Sequence, residues 1–276
     1  MSAPGAGRPE EVVAVITLVR GRHDHLARQE ASLLRQDRPA DLRVVVSLGD
    51  PDLSGDHVVT VPVADGDPLP LARGRNAGAA RALELGARVL TFLDVDCLAG
   101  PGTMGAYADA VRDEPGTVWG GPVTYLDEHA RPYPVHDLAP LDRPHPARPA
   151  PSCGERRHDD RWELFWSLSF ALSATAWERC GGFDEGYTGY GAEDTDFGQR
   201  ARAAGLRLAW TGDARAYHQH HPTSTPPVQH LHDILRNGRT FSDRWGWWPM
   251  TGWLAAFEQQ GLVRRVDDDW VLEEAR

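Results

Sequence analysis

The sequence predicts an α/β fold in which helices flank a mostly parallel central sheet, as a single domain with a C-terminal helical extension. Runs of β-branched and apolar residues alternate with helical segments along the N-terminal third of the chain, a pattern typical of doubly wound sheets with right-handed crossovers. The strand segments are almost continuously apolar, as expected where helices cover both faces of a parallel sheet. The 276 residues also suffice to bury a large core.

The first elements follow in the order strand, helix, strand, strand, helix, strand. Their expected bounds are Glu11–Val19, His25–Gln36, Leu42–Leu48, Val58–Val63, Arg75–Gly86 and Arg88–Leu93. The first, EVVAVITLV, has the composition of a buried central strand. The second helix is rich in alanine and closes on a glycine, a common helix end. Because ligands of such sheets bind outside the carboxyl ends of the strands, functional residues are expected directly after them.

The second half begins with a break in composition. Residues 131–160 are rich in proline and charge, which predicts a long, flexible loop beside the site. A glycine-rich turn follows, and then a helix near Asp194–Ala204, a strand pair around Leu206–Tyr217 and a helix at Val228–Phe241.

Composition excludes several classes of protein. The formal net charge of −11 argues against a nucleic-acid binder that relies on phosphate contacts. It leaves room for a small phosphorylated ligand, because a bound cation reverses the local field. Three cysteines are too few and too scattered for a disulfide framework. Neither a signal peptide nor an apolar run approaching the ~18 residues of a membrane span is evident, so the sequence predicts a cytoplasmic protein.

Two carboxylates, Asp94 and Asp96, follow the apolar strand Arg88–Leu93. Residues i and i+2 of a strand lie on one face, and like charges held side by side are unfavourable without a partner. Hard carboxylate oxygens suit Mg²⁺ or Mn²⁺, whose coordination is usually completed by substrate phosphates. The pair therefore predicts a cation site, although a turn in which Asp caps the next element is the simpler alternative.

A second acidic group stands behind five glycines in the segment Gly181–Asp196, GGFDEGYTGYGAEDTD. Its acids are Glu193, Asp194 and Asp196, at the start of a predicted helix. They either favour the helix N-terminus through the helix dipole or form a pocket with a general base.

Histidine and tryptophan are concentrated in two further segments. Ala216–Pro222, AYHQHHP, offers three imidazoles, which either form a solvated loop or add a nitrogen ligand to the cation site. Four of the ten tryptophans fall in Arg244–Trp253, RWGWWPMTGW. Indoles bury large areas, so this run indicates either core packing or a platform for a sugar ring.

Together these segments resemble the GT-A glycosyltransferases of family 2 type, which transfer sugars from nucleotide-sugars with inversion. The resemblance runs from about Val12 to His221. Asp94-Val-Asp96 resembles the DxD motif of the family, and Leu71–Gly78, LARGRNAG, resembles its ARN-G segment before a helix. Phe183–Asp196 resembles the GGFDE…GxEDxD segment of β-1,4-galactosyltransferases and polypeptide N-acetylgalactosaminyltransferases. The implied fold is GT-A, with a Rossmann-like sheet.

The resemblance also implies roles for individual residues. Asp194 would be the catalytic base, Glu193 would contact a sugar, and Asp196 would anchor the helix. Mn²⁺ or Mg²⁺ would be held by Asp96 and His218, with Asp94 at the ribose or in the metal site. For the imidazole ligand, His220 and His221 remain alternatives.

The implied donor is a nucleoside-diphosphate sugar, with a UDP-sugar favoured over a GDP-sugar as the alternative, and the implied acceptor is an unidentified hydroxyl compound. Donor contacts are expected from Thr17, Arg20, Asp50, Arg75, Asn76, Asp94 and Asp96, and acceptor contacts from Trp245, Trp248 and Tyr190. The sequence departs from the family at Thr17–Arg22, TLVRGR, where Pro-Thr-Tyr-Asn is usual, and at Ser47–Asp52, SLGDPD, where a DDGS turn is usual.

The sequence thus predicts an inverting, metal-dependent glycosyltransferase. Residues 1–10 are expected to be disordered, 11–222 to form the catalytic domain with donor half 11–98 and acceptor half 161–222, and 223–276 to form the Trp-rich extension. A nucleotidyltransferase is one alternative, for which Arg20-Gly-Arg22 is only a faint sign of the expected basic glycine loop. An inactive carbohydrate-binding GT-A domain is the other.

Overall fold

A computed structural model describes residues 11–273, and the predicted disorder of residues 1–10 lies outside this range. The described strands are β1 (Val13–Val19), β2 (Leu42–Leu48), β3 (Val58–Val61), β4 (Val89–Leu93), β5 (Cys97–Ala99), β6 (Thr117–Gly120), β7 (Val123–Tyr125), β8 (Arg156–Asp159), β9 (Ser169–Ser173), β10 (Arg207–Thr211), β11 (Ala216–His218), β12 (Val263–Val266) and β13 (Asp269–Leu272). The helices are α1 (His23–Leu33), α2 (Leu71–Glu84), α3 (Thr103–Asp113), α4 (Ala174–Cys180), α5 (Glu193–Ala203), α6 (Leu231–Trp245) and α7 (Thr251–Gln259).

The central sheet has eight strands in the order β3-β2-β1-β4-β9-β6-β10-β8. All except β8 and β9 run in the same direction. Along β1, Ala14 and Ile16 pack into one hydrophobic cluster, whereas Val13 and Val15 pack into clusters on the other face. Both faces of this strand are therefore buried, which explains its continuous apolar run and confirms the predicted α/β fold.

Helix α2 contains the ARN-G segment, which the sequence placed before a helix. The helix begins at Leu71, and Pro70 occupies the N-cap position, where the missing proline N–H removes no hydrogen bond of the helix. Two glycines face the sheet. A Cβ at Gly74 would lie 2.9 Å from Leu18, and one at Gly78 would lie 2.5 Å from Ile16. These glycines allow α2 to approach the central sheet closely, and the same helix carries Arg75 at the carboxyl ends of the strands.

A second, three-stranded sheet has the order β5-β11-β7. The predicted strand pair in Leu206–Tyr217 corresponds to β10 and β11, but β10 lies in the central sheet and β11 in this smaller one. Strand β11 runs antiparallel to β5, with His218 opposite Cys97. This register brings the histidine segment beside the Asp94–Asp96 turn.

The proline-rich segment of residues 131–160 is mostly irregular and ends in β8, the edge strand of the central sheet, which pairs with β10. Its side chains Tyr133 and Leu138 are buried with Leu98 and Tyr217. The segment therefore packs on the smaller sheet. Its flexibility stays a prediction.

In the C-terminal extension, α6 corresponds to the helix expected at Val228–Phe241. The extension also contains α7 and a β-hairpin of β12 and β13, for which the sequence analysis gave no bounds. Trp248, Phe257 and Trp270 form its small core with other apolar residues. Within residues 11–273, no helix is both long enough and apolar enough to span a bilayer.

Candidate active site

A cavity of about 600 Å³ opens at the carboxyl end of β4. Its walls carry four acids and five large aromatic residues, together with small and polar residues. The acids are Asp94, Glu163, Glu193 and Asp194, and the aromatic residues are Tyr125, Trp166, Tyr190, Trp247 and Trp253. A concave site that combines apolar walls with a few converging charged groups is the usual form of a small-molecule site.

Three of the acids surround one arginine, and we call Arg75, Asp94, Glu193 and Asp194 the carboxylate cluster. Arg75 is 4% exposed, and its guanidinium lies 3.2 Å from Glu193 Oε1 and 3.5 Å from Asp94 Oδ1. Burial raises the pKa of Glu193, and it raises the pKa of Asp94 to about 6 against the opposing charge of Arg75. Several carboxylates therefore share one guanidinium, which leaves the cluster with excess negative charge.

Asp194 lies in the first turn of α5, which follows Ala192 with a left-handed φ of 71°. Its Oδ1 accepts hydrogen bonds from the Thr195 amide at 2.7 Å and the Thr195 hydroxyl at 3.3 Å, and its carboxylate also accepts the Ser167 amide. In the described part of the chain, no basic side chain forms an ion pair with it. Burial raises the pKa of Asp194 above its ordinary value. A carboxylate that faces a cavity and is oriented by neutral donors can accept a proton there.

Asp196 has a structural position instead. It is fully buried, and its Oδ1 accepts hydrogen bonds from Tyr187, Arg244 and Trp245 at 2.8–3.3 Å. These contacts tie α5 to α6.

The aromatic residues expected to contact the acceptor have different surroundings. The indole N–H of Trp245 is used by Asp196, and Trp248 is buried against Gly238, where an added Cβ would lie 2.6 Å from its ring. Of the three expected residues, the described cavity wall includes Tyr190. The direction of each indole of the Trp-rich run depends on how α6 ends and α7 begins, and acceptor contacts of this run stay a prediction. Trp247 and Trp253 reach the cavity instead.

Asp94 and Asp96 lie in the turn between β4 and β5, where the Cys97 amide donates to the Asp94 carbonyl at 2.8 Å. The expectation that both carboxylates share one strand face is therefore wrong, because the strand ends at Leu93. Asp94 joins the carboxylate cluster. Asp96 faces imidazoles and Arg22.

We call Asp96, His218, His221, His25 and Arg22 the Asp96 cluster. Ligand atoms of Asp96, His218 and His221 all lie within 4.8 Å of one another. His25 Nε2 lies 3.9 Å from Asp96 Oδ1, and the Arg22 guanidinium pairs with Asp96 Oδ2. Burial lowers the pKa of His218 to about 4, so its imidazole is neutral at neutral pH.

The Asp96 cluster fits a divalent cation. Asp96 Oδ1 and His25 Nε2 are buried without a hydrogen-bond partner among the described residues, and such orphaned atoms are rare unless an ion or water satisfies them. One carboxylate with two imidazoles is a donor set that Mn²⁺ accepts. His221 joins His218 here, whereas the His220 ring lies 4.0 Å from Glu128. Asp94, also expected as a ligand, belongs to the carboxylate cluster.

The other residues expected to contact the nucleotide-sugar donor are not among the residues that line the cavity. The Thr17 hydroxyl donates to Gln29 at 3.0 Å, and Arg20 donates to the Leu48 carbonyl at 3.0 Å. Asp50 accepts the Gly21 amide at 2.6 Å. Asn76 exchanges two 2.9 Å hydrogen bonds with the Phe183 backbone. These contacts orient the glycine-rich turn and the loops that follow the carboxyl ends of β1 and β2.

Comparison of the sequence with known families matches residues 152–222 to the family described as the N-terminal domain of galactosyltransferase. A Validoxylamine A glucosyltransferase from Streptomyces hygroscopicus subsp. limoneus is 29% identical over 234 residues, which are 74% of this chain and 51% of the relative. A protein of the same name from S. hygroscopicus subsp. jinggangensis (strain 5008) is 45% identical over 47 residues, 17% of this chain and 11% of the relative. The chain thus spans at most about half the length of these curated relatives.

Two solved structures are similar in fold. GalNAc-T7, crystallised with UDP, GalNAc and Mn²⁺, gives a TM-score of 0.55 at 14% sequence identity. The superposition covers 82% of this chain and 48% of the GalNAc-T7 chain. S. aureus TarS 1-349 gives a TM-score of 0.57 at 14% sequence identity, and the superposition covers 83% of this chain and 65% of the TarS chain. These likenesses and the sheet described above confirm the predicted GT-A glycosyltransferase fold.

Proposed function

We propose that this protein is an inverting, metal-dependent glycosyltransferase that moves a hexosyl group from a nucleoside-diphosphate sugar to an acceptor hydroxyl. The observation that carries the proposal is the position of Asp194. It faces the cavity, it has no ion-pair partner among the described residues, and it lies in one cluster with Asp94, two residues from Asp96. In this proposal residues 11–98 form the donor side and residues 161–222 carry the base.

Asp194 acts as the general base. It takes the proton of the acceptor hydroxyl while the hydroxyl oxygen forms a bond to the anomeric carbon, on the face opposite the departing diphosphate. The bond from this carbon to the diphosphate oxygen breaks in the same step, so the configuration inverts. General-base assistance of this kind contributes about 10²–10⁴-fold. The amides of Ser167 and Thr195 orient the carboxylate toward the cavity.

Arg75 orients the other two acids. Its contacts at 3.2 Å to Glu193 and 3.5 Å to Asp94 hold both carboxylates at the cavity wall, where Glu193 would accept hydrogen bonds from sugar hydroxyls. Asp96, His218 and His221 would hold the cation. A bound divalent cation would supply charge neutralisation to the diphosphate leaving group as a Lewis acid.

The relatives support the choice of substrates. GalNAc-T7, whose structure contains UDP, GalNAc and Mn²⁺, supports a UDP-sugar donor and manganese. The two curated relatives are named as glucosyltransferases of a single compound, validoxylamine A, which supports hexosyl transfer to a small hydroxyl acceptor. A cavity of about 600 Å³ has room for a compound of this size.

A panel of nucleotide-sugars tests the proposal. UDP- and GDP-sugars are incubated with Mn²⁺, Mg²⁺ or a chelator and with a set of cyclitols and glycosides, validoxylamine A included. We expect UDP release that needs the cation and rises with one acceptor, and a product whose anomeric proton shows the opposite configuration to the donor. Binding without release in any combination would indicate a carbohydrate-binding domain. In a parallel incubation of UTP or GTP with a sugar 1-phosphate, release of pyrophosphate would indicate a nucleotidyltransferase.

A further inference from the structure

Arg148, near the end of the proline-rich segment, is a buried cation that forms no ion pair with any carboxylate of residues 11–273. It is 5% exposed, and its Nε, Nη1 and Nη2 atoms are buried without a hydrogen bond in the part of the chain that the structure describes. Removing a guanidinium from water is unfavourable unless other groups compensate, and an arginine remains protonated in such places. A position this unfavourable requires a compensating contact.

The compensating contacts are aromatic. The guanidinium carbon lies 4.8 Å from the ring centroid of Trp210 and 5.4 Å from that of Trp166. A cation over an indole face is attracted by the ring quadrupole, most strongly when both are desolvated. Trp210 is a fully buried residue of β10, whereas Trp166 lines the cavity. Arg148 thus connects the central sheet with the cavity wall.

The residues that follow Trp166 hold both ends of the carboxylate cluster. The Ser167 amide donates to the Asp194 carboxylate, and the Leu168 carbonyl accepts the Asp94 amide at 3.0 Å. His145, from the same proline-rich segment as Arg148, packs edge-to-face on Trp166 at 5.5 Å. The short segment Trp166–Leu168 is therefore fixed from one side by the proline-rich segment and supports the proposed base on the other.

We propose that Arg148 is a positioning residue of the acceptor site: by holding Trp166 against the central sheet, it fixes the segment Trp166–Leu168 and with it the Ser167 amide on Asp194. The inference rests on the proposed function for its catalytic consequence, but the positioning itself is a property of the folded chain. Arg148 touches neither substrate nor the reacting atoms in this proposal and acts through Trp166 and Ser167.

Two variants separate the effect of the guanidinium charge from the effect of its planar shape. Arg148→Met keeps most of the volume and removes the charge, whereas Arg148→Lys keeps the charge and loses the planar group that stacks on an indole. We expect Arg148→Met to raise the acceptor KM about tenfold, because the cavity wall loosens, with the donor KM unchanged. Arg148→Lys should recover part of this loss, since an ammonium is also attracted to an indole face.

Arg156→Met is the matched control. The Arg156 guanidinium lies 5.5 Å from the ring centroid of the buried Trp119, so the contact is of the same kind. It also pairs with Asp113 at 2.8 Å and belongs to the edge strand β8, away from the described cavity wall. We expect its acceptor and donor KM to equal those of the unaltered protein.

Hydrogen exchange measures the positioning without any need for activity. Amides held by stable tertiary contacts exchange slowly, and local loosening speeds them. We expect the Ser167 amide to exchange at least about tenfold faster in Arg148→Met than in the unaltered protein or in Arg156→Met, with unchanged protection in β1 and β2. If Arg148→Met does not fold, the same comparison is made with Arg148→Lys.

The outcomes are distinguishable. Unchanged exchange at Ser167 in the folded variant overturns the positioning role, whatever the kinetics show. Faster exchange at Ser167 together with a raised acceptor KM supports it, whereas a raised donor KM with an unchanged acceptor KM contradicts the assignment to the acceptor side. A failure of the proposed function would appear as absence of transfer by the unaltered protein, and the exchange comparison would still decide the positioning.

Discussion

The carboxylate cluster and the Asp96 cluster begin from the same kind of side chain, two residues apart, and have opposite electrostatic surroundings. Asp94 shares one guanidinium with Glu193, and burial raises its pKa to about 6. Asp96 lies among three imidazoles and Arg22, and beside it burial lowers the pKa of His218 to about 4. The first cluster is suited to accepting a proton and the second to binding a cation. Spacing in sequence therefore says little about what two neighbouring carboxylates do.

The backbone of the turn explains the difference. The Asp94 amide donates to the Leu168 carbonyl at 3.0 Å, which ties it to the segment before β9. The Asp96 carbonyl accepts the Gln219 amide at 2.6 Å, which ties it to the residues after β11. Each half of the turn is held by a different element, and each carboxylate meets the side chains that its own element supplies.

The largest effect is expected from removing the base of the carboxylate cluster. Asp194→Asn keeps the shape of the side chain and its ability to accept hydrogen bonds, but an amide does not accept a proton from a hydroxyl. We expect kcat to fall by about 10²–10⁴-fold, with little change in the affinities for UDP and Mn²⁺. Steady-state kinetics and calorimetric titration measure both quantities. Loss of UDP binding in the variant would refute the assignment of Asp194 as base.

The Asp96 cluster is tested by its two histidines. His218→Ala and His221→Ala each remove a nitrogen donor, so we expect Mn²⁺ affinity to fall by roughly 10–100-fold, about 1.4–2.8 kcal/mol at 1.4 kcal/mol per factor of ten. His220→Ala is the control, because that ring lies 4.0 Å from Glu128, outside the cluster. The paramagnetic resonance signal of free Mn²⁺ reports the affinity. An effect of His220→Ala as large as that of His221→Ala would contradict the assignment of His221, and not His220, to the metal site.

The pH dependence of transfer tests whether Asp194, in the carboxylate cluster, acts as the base. Burial raises the pKa of Asp194, and a base works only when ionised, so kcat/KM should fall by about tenfold per pH unit below that raised value. The acidic limb of the profile should therefore lie above the ordinary Asp pKa of about 3.9. The measurement is the pH profile of kcat/KM under saturating Mn²⁺. A limb at or below pH 4 would contradict the expected effect of burial on Asp194.

The smallest effect is expected from Arg22, whose guanidinium pairs with Asp96 and thereby competes with a cation. Arg22→Gln should raise the Mn²⁺ affinity of the nucleotide-free protein by about threefold, since the pair is 40% exposed on the arginine side and such pairs contribute little. Titration of Mn²⁺ in the absence of nucleotide measures it, with Arg161→Gln as control because Arg161 pairs with Asp159 elsewhere. Weaker Mn²⁺ binding would mean that Arg22 supports the site.

Much of the fold follows from local pattern. The buried run of β1, the glycines of α2 and the acids that open α5 each have a local physical reason, and the structure places these elements within a few residues of their expected bounds. Arg148 is different. It lies in a segment rich in charge and proline, and no local signal distinguishes it from the exposed arginines around it. Its burial becomes visible only when Trp166 and Trp210 are brought together.

The fold class and the kinds of residue at the carboxyl end of the sheet were predictable from local patterns, because periodicity and turn chemistry act over short distances along the chain. The different partners of Asp94 and Asp96 and the position of His221 beside His218 are visible only in the three-dimensional structure. The same is true of Trp247 and Trp253 in the cavity wall. These outcomes depend on the end of β4, on the register of β11 against β5 and on the turn between α6 and α7. Contacts between distant segments set all three, and a local pattern carries no information about them.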